Sequence, residues 1–92
     1  MFTVIAFDIV DDRIRYRTVQ ALREYSVRVQ KSVFEAAMLS PTNFQRLRQD
    51  VEQIIDLRLD HVRYYFLCRS CRDRLQISGT GSVTVEEEYK VL

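Results

Sequence analysis

Phe2-Thr3-Val4-Ile5-Ala6-Phe7-Asp8-Ile9-Val10 is an apolar run broken only by Thr3 and by Asp8 near its end. It is short for a helix and rich in β-branched and aromatic residues, so it reads as a buried central strand. Beyond it, Asp11 and Asp12 offer helix caps, and Ile14, Thr18, Ala21, Leu22 and Tyr25 recur at helical spacing, which predicts a first helix over 12–25. Two strands follow at Val27 to Gln30 and Ser32 to Leu39, the second by its alternation of Val33, Glu35 and Ala37 with Phe34, Ala36 and Met38. Ser40-Pro41 starts a second helix over 41–56, whose apolar stripe is Phe44, Leu47, Val51, Ile54 and Ile55. Asp60 to Cys68 is a further strand, and the Gly79-Thr80-Gly81 turn leads to a short last strand at Val83 and Val85.

This order is β-α-β-β-α-β plus one strand, the α+β, ferredoxin-like arrangement in which two helices cover one face of an antiparallel sheet. Residues 1–92 are read as a single domain. The other sheet face also carries apolar residues, which predicts a homodimer packed sheet to sheet, with the tail strand of about 79–92 docking on the partner subunit.

Composition narrows the function. The chain is 47% hydrophobic, with two Gly and one Pro, which fits a folded domain and not a disordered one. No apolar run approaches the roughly 20 residues of a membrane span, and no signal peptide is evident, so the chain reads as cytoplasmic. Net charge is only +1, but it is sorted: Arg13, Arg15, Arg17, Arg23, Arg28 and Lys31 face a single acid, Glu24, between residues 13 and 31. Twelve of the fourteen basic residues are Arg, the planar donor suited to phosphate.

Asp8 is the sharpest local feature, because a carboxylate at the end of an apolar strand is costly unless it is hydrogen-bonded, paired or metal-bound. It is read either as a strand-end acceptor for loop N–H groups or Arg15, or as a ligand for Mg²⁺, which accepts one or two carboxylates with several waters retained. Asp11 and Asp12 read as helix caps, with support of a metal at Asp8 as the alternative. The Arg13, Arg15 and Arg17 series, with Arg28 and Lys31, reads as a solvated face or as a phosphate-binding surface. Cys68-Arg69-Ser70-Cys71 is half a zinc knuckle with no second half, and no helix is read after the strand to make it a thioredoxin-type pair. His61 is the only histidine, and sequence alone places it near no nucleophile, leaving no obvious general base.

Phe7-Asp8-Ile9-Val10-Asp11-Asp12-Arg13-Ile14-Arg15, followed by Arg28-Val29-Gln30-Lys31-Ser32-Val33-Phe34-Glu35, resembles the second core CRISPR-associated (Cas) protein family, the small partner of the CRISPR integrase. The resemblance spans the domain, and the RVQKSVFE stretch at its distance from the FDI strand end is its specific part. It implies a ferredoxin-like homodimer of spacer acquisition, in antiviral defence, with Mg²⁺ or Mn²⁺ held between the Asp8 residues of both subunits. It further implies metal-dependent endonuclease activity on single-stranded RNA or duplex DNA, or a scaffold role beside the integrase subunit. By motif position it gives Asp8 the catalytic and metal roles, Arg15, Arg17 and Arg28 phosphate contacts beside Arg13 and Lys31, and Phe7 and Phe34 a place at the cleft. Two positions depart from the family: Phe7 stands where most relatives have Tyr, and Ser26 where many have Gly. A left-handed helix exit at Ser26 would cost about 1 kcal/mol relative to Gly. The alternatives are a toxin-type endoribonuclease of the same fold and a non-catalytic nucleic-acid-binding domain.

Overall fold

In the computed structural model, which describes residues 1–85, the chain runs β1 (Phe2–Asp8), α1 (Asp12–Arg23), β2 (Val27–Gln30), β3 (Val33–Ala36), α2 (Pro41–Ile54), β4 (His61–Leu67) and a short α3 (Arg69–Asp73). The strands form one antiparallel sheet in the order β2-β3-β1-β4. The apolar run is therefore a central strand, and the ferredoxin-like α+β arrangement is present.

Register decides which residues meet the helices. Ile5 stands opposite Phe34 on β3 and Tyr64 on β4, and opposed residues share a sheet face. Leu22 from α1 and Leu47 and Val51 from α2 close over that face, and all are buried with Ile5 and Phe34. Complete burial of such side chains stabilises by about 1.5–3 kcal/mol each. Thr18, also fully buried in α1, donates its hydroxyl to the Ile14 carbonyl at 2.8 Å, which offsets the cost of burying its polar group.

Of the two aspartates read as caps, Asp11 caps α1 while Asp12 is its first residue and pairs with Arg15; Ser40 caps α2 as expected. The Asp11 carboxylate accepts from the N–H groups of Arg13 (2.8 Å) and Ile14 (3.1 Å), and Ser40 Oγ accepts from Asn43 N–H at 3.1 Å, with Pro41 in the first turn of α2. Each helix ends two residues before its expected terminus. β3 stops at Ala36 instead of Leu39, because β1 begins at Phe2 and leaves no strand to pair beyond the Thr3–Ala36 match. A single bond from Leu39 N–H to the Met1 carbonyl (3.2 Å) continues the contact.

The exit of α1 differs from the expectation. Among the described residues no amino acid other than Gly has a positive φ. Glu24 closes the helix in a right-handed conformation (φ −68°), and buried Ser26 donates its hydroxyl to the Leu22 carbonyl at 2.6 Å. The serine satisfies a C-terminal carbonyl by side chain, where a glycine would do so by backbone conformation.

On the sheet face away from the helices, Val4 is opposed by Glu35 and Tyr65, Ala6 by Val33 and Arg63, and Asp8 by His61. The expected last strand at Val83 and Val85 is not formed within the described residues. Leu75 to Val85 instead borders β2 and β3 along a groove of about 840 Å³, tied by the Thr84 hydroxyl, which donates to Glu35 Oε1 at 2.7 Å. The remainder of the expected tail strand, 86–92, lies outside the described residues. A second correction is α3: its five residues are too few to leave a periodic signal, so the sequence reading placed no helix there.

Candidate metal and nucleic-acid site

Asp8 closes β1 and is exposed. Its carboxylate makes no hydrogen bond or ion pair among the described residues. The strand-end reading in which Arg15 or loop N–H groups hold it is therefore not what the structure presents. Arg15 turns elsewhere: Nη1 pairs with the Asp12 carboxylate, and Nη2 donates to the carbonyls of Ile9 (2.9 Å) and Val10 (3.5 Å).

The loop after Asp8 is held from a second side by a residue the sequence reading passed over. Asp60, buried at the head of β4, accepts from Val10 N–H with Oδ1 (3.0 Å) and from Asp56 N–H with Oδ2 (2.9 Å). Asp56 in turn accepts from the N–H of Asp60 with its carbonyl (2.8 Å) and from that of Arg58 with its carboxylate (2.9 Å). The signal was an acidic residue at a strand start, a pattern common enough to pass as a loop. Only the fold brings it within reach of a backbone fifty residues away.

The second residue missed is His61. Register sets it directly opposite Asp8 on the edge strand, and cross-strand partners lie with Cβ atoms about 4.5–5.5 Å apart on one face. The lone histidine and the strand-end carboxylate are thus neighbours, a pairing that the order of the sequence does not reveal. Arg63, two residues along β4, lies on the same face and donates to Tyr65 Oη at 3.3 Å. Asp8, His61 and Arg63 are all exposed at one end of the sheet face opposite α1 and α2, whose other end carries Arg72 of α3 over the Phe2 ring.

The arginines divide into two sets. Arg15 and Arg28 are partly committed: besides the bonds of Arg15, Arg28 donates from Nε (3.1 Å) and Nη2 (2.6 Å) to the Lys31 carbonyl, with its guanidinium over the Phe34 ring. Arg13, Arg17 and Arg23 are exposed, and among the described residues no partner holds their side chains. Lys31 is likewise exposed, engaged through its carbonyl. Arg15, Tyr16, Arg23 and Arg28 line a shallow groove of about 220 Å³ between α1 and β2. Phe7 and Phe34, expected beside the cleft, are both buried and pack on each other at 6.2 Å between ring centroids, so they form the floor beneath the end of β1.

Among the described residues, no three side chains of His, Cys, Asp or Glu converge into a metal-holding cluster. Asp8 fits a hard cation in kind, being an exposed oxygen donor with no competing partner, but among the described residues no third such donor joins that carboxylate and the imidazole across the strand. Cys68 and Cys71 are exposed free thiols at the start of α3. Hydrogen bonds from the Cys71 N–H and thiol hold the Cys68 thiol below its ordinary value and raise that of Cys71.

Residues 1–75 match the family described as CRISPR associated protein Cas2. The chain belongs to the Cas2 family. A CRISPR-associated endoribonuclease Cas2 of Chloroflexus aurantiacus is 43% identical over 89 residues, 97% of this chain and 95% of the relative. Among solved structures, Cas2 of Streptococcus pyogenes at pH 6.5 superposes with a TM-score of 0.72 at 32% identity, covering 86% of this chain and all of that one. A chain of a partial Cas6-RT-Cas1–Cas2 complex gives a TM-score of 0.77 at 26% identity, covering 99% and 98%. No helix among the described residues is long and apolar enough to cross a membrane.

Proposed function

We propose that this chain is a metal-dependent endoribonuclease subunit of CRISPR spacer acquisition, acting as a homodimer whose open sheet faces pack together and bring two copies of Asp8 to one axis. The observation that carries this reading is the exposed, unpartnered carboxylate of Asp8 at the end of the central strand. A side chain left without a partner beside a loop whose backbone groups are held is available for a ligand. The relatives named endoribonucleases supply the reaction class.

Asp8 from each copy would hold Mg²⁺ or Mn²⁺, which when bound activates water and neutralises charge on the scissile phosphate. Asp60, Arg15 and Asp11 fix the backbone on which Asp8 ends, so the carboxylate position is set before a substrate arrives. Arg13, Arg17 and Arg23 offer uncommitted guanidinium groups to phosphates, and Arg15, Arg28 and Lys31 border the same surface. Phe7 and Phe34 support the strand from below. Residues 1–92 form a single domain in this reading.

A second reading is favoured by the exposed arginines and by the likeness to a chain of a Cas1–Cas2 complex: a scaffold that grips a nucleic-acid duplex beside the integrase, with no cleavage required. Cleavage of labelled single-stranded RNA and duplex DNA by wild type and Asp8→Ala, with Mg²⁺, Mn²⁺ or EDTA, separates the two. The nuclease reading expects a loss of at least about a hundredfold in Asp8→Ala and in EDTA. Activity equal in both proteins would assign it to a contaminant, and duplex binding without Asp8-dependent cleavage would leave the scaffold.

A further inference from the structure

The only histidine of the chain stands opposite Asp8, whose carboxylate has no partner among the described residues. Both are exposed, both belong to the sheet face opposite α1 and α2, and no ion pair joins them. The backbone on either side is fixed by one residue, Asp60, which bonds to Val10 beyond Asp8 and is followed directly by His61. Their separation is therefore set by the β1–β4 ladder and by this clamp, before any ion binds.

We infer that Asp8 and His61 together form a mixed oxygen and nitrogen site for a divalent cation, selecting a first-row transition ion, Mn²⁺ among those tested, over Mg²⁺. The chemical reason is donor type. Mg²⁺ asks for near-ideal octahedral oxygen coordination and retains several waters. An imidazole nitrogen adds affinity along the transition series and little to Mg²⁺. Two donors per chain leave room for water and for the same pair from a second copy. The inference rests on the reading of Asp8 as a metal carboxylate, and extends it to a residue and an ion preference.

The test is metal binding by the full-length protein, free of substrate. Mn²⁺ affinity is read from loss of the free-ion EPR signal, and Mg²⁺ affinity by competition against it. Pulsed EPR of the bound Mn²⁺ detects the nuclear coupling of a ligating nitrogen. Wild type is expected to bind Mn²⁺ more tightly and to display nitrogen coupling. His61→Ala and His61→Gln should lower the Mn²⁺ to Mg²⁺ affinity ratio by about tenfold or more and abolish the coupling. Their Mg²⁺ affinity should stay within about twofold, because the oxygen donor is intact.

An unchanged ratio in both variants, or bound Mn²⁺ without nitrogen coupling in wild type, overturns the inference while leaving Asp8 as a metal carboxylate. Failure of wild type to bind either ion, or equal binding by Asp8→Asn, overturns that reading and this inference together. Neither residue has a partner to lose, so the variants are expected to fold, and circular dichroism verifies it.

Discussion

The loop that follows β1 and the open face of the sheet meet at Asp8, yet they are finished to different degrees. In the loop, nearly every backbone group within reach has a partner: Val10 N–H on Asp60, the Ile9 and Val10 carbonyls on Arg15, and Arg13 and Ile14 N–H on Asp11. On the open face, Asp8 and His61 have none, Val4 and Ala6 are only partly covered, and Tyr65 is exposed. Rigidity of the support beside incompleteness of the surface is the arrangement expected of a site completed by something else.

Exchanging the two carboxylates in turn gives the sharpest contrast. Asp60→Ala strands two N–H groups in a partly buried place, and hydrogen bonds to a charged group contribute about 1.5–3 kcal/mol each. Unfolding in urea should then lose about 2–4 kcal/mol of stability, with cleavage falling as a consequence of the loosened loop. Asp8→Ala should leave stability within about 0.5 kcal/mol, since it removes no contact, while cleavage disappears. If Asp8→Ala proves the destabilising change and Asp60→Ala the silent one, the division between support and site is wrong.

The arginines permit the same comparison on a smaller scale. Arg15→Ala deletes bonds that hold the Ile9–Val10 turn, for an expected loss of about 1 kcal/mol in stability. Arg17→Ala touches nothing in the fold and should leave stability unchanged. In duplex or single-strand binding the order reverses. Arg17→Ala should lower the slope of log K against log salt by about one, as one phosphate contact is lost. Equal slopes for wild type and Arg17→Ala would remove this helix face from the nucleic-acid surface.

Much of this support was legible in the sequence, for a definable reason. Strand and helix patterns, the Asp11 and Ser40 caps and the core stripes depend on neighbours within a few residues, and those are written in order. What escaped depends on contacts made at a distance. The Asp8–His61 neighbourhood exists only once β1 and β4 are in register, and Asp60 acts on a backbone far away in sequence. Ser26 misled because a family glycine invites a left-handed conformation, whereas a side-chain hydroxyl reaches the same carbonyl without one. Asp8 itself was legible as a residue, since a carboxylate in an apolar strand is conspicuous, but its freedom from Arg15 was not. The resemblance supplied the roles of Asp8 and the arginines, and the fold separates those already engaged from those left free.

The helix-covered face offers the smallest and cleanest measurement, because Tyr64 carries a buried polar group there that nothing satisfies. Tyr64 packs edge-on against Phe44 at 5.1 Å, and its buried hydroxyl has no partner. Burial, reinforced by the charge of Glu52, pushes its ionisation up to about 12 from the ordinary 10. Raising an acid in the folded state means that the unfolded chain ionises first. The stabilisation is thus complete below pH 10 and is lost progressively as pH rises from about 10 to about 12. Tyr64→Phe removes both the unsatisfied hydroxyl and the titration. At neutral pH it should be neutral or stabilising by up to about 0.5 kcal/mol, and between pH 10 and 12 it should lose less stability than wild type, by on the order of 1 kcal/mol. Parallel loss in the two proteins, measured by denaturant melts across that range, would mean that the hydroxyl reaches solvent, and that this side of the sheet is less closed than the packing of α2 over it implies.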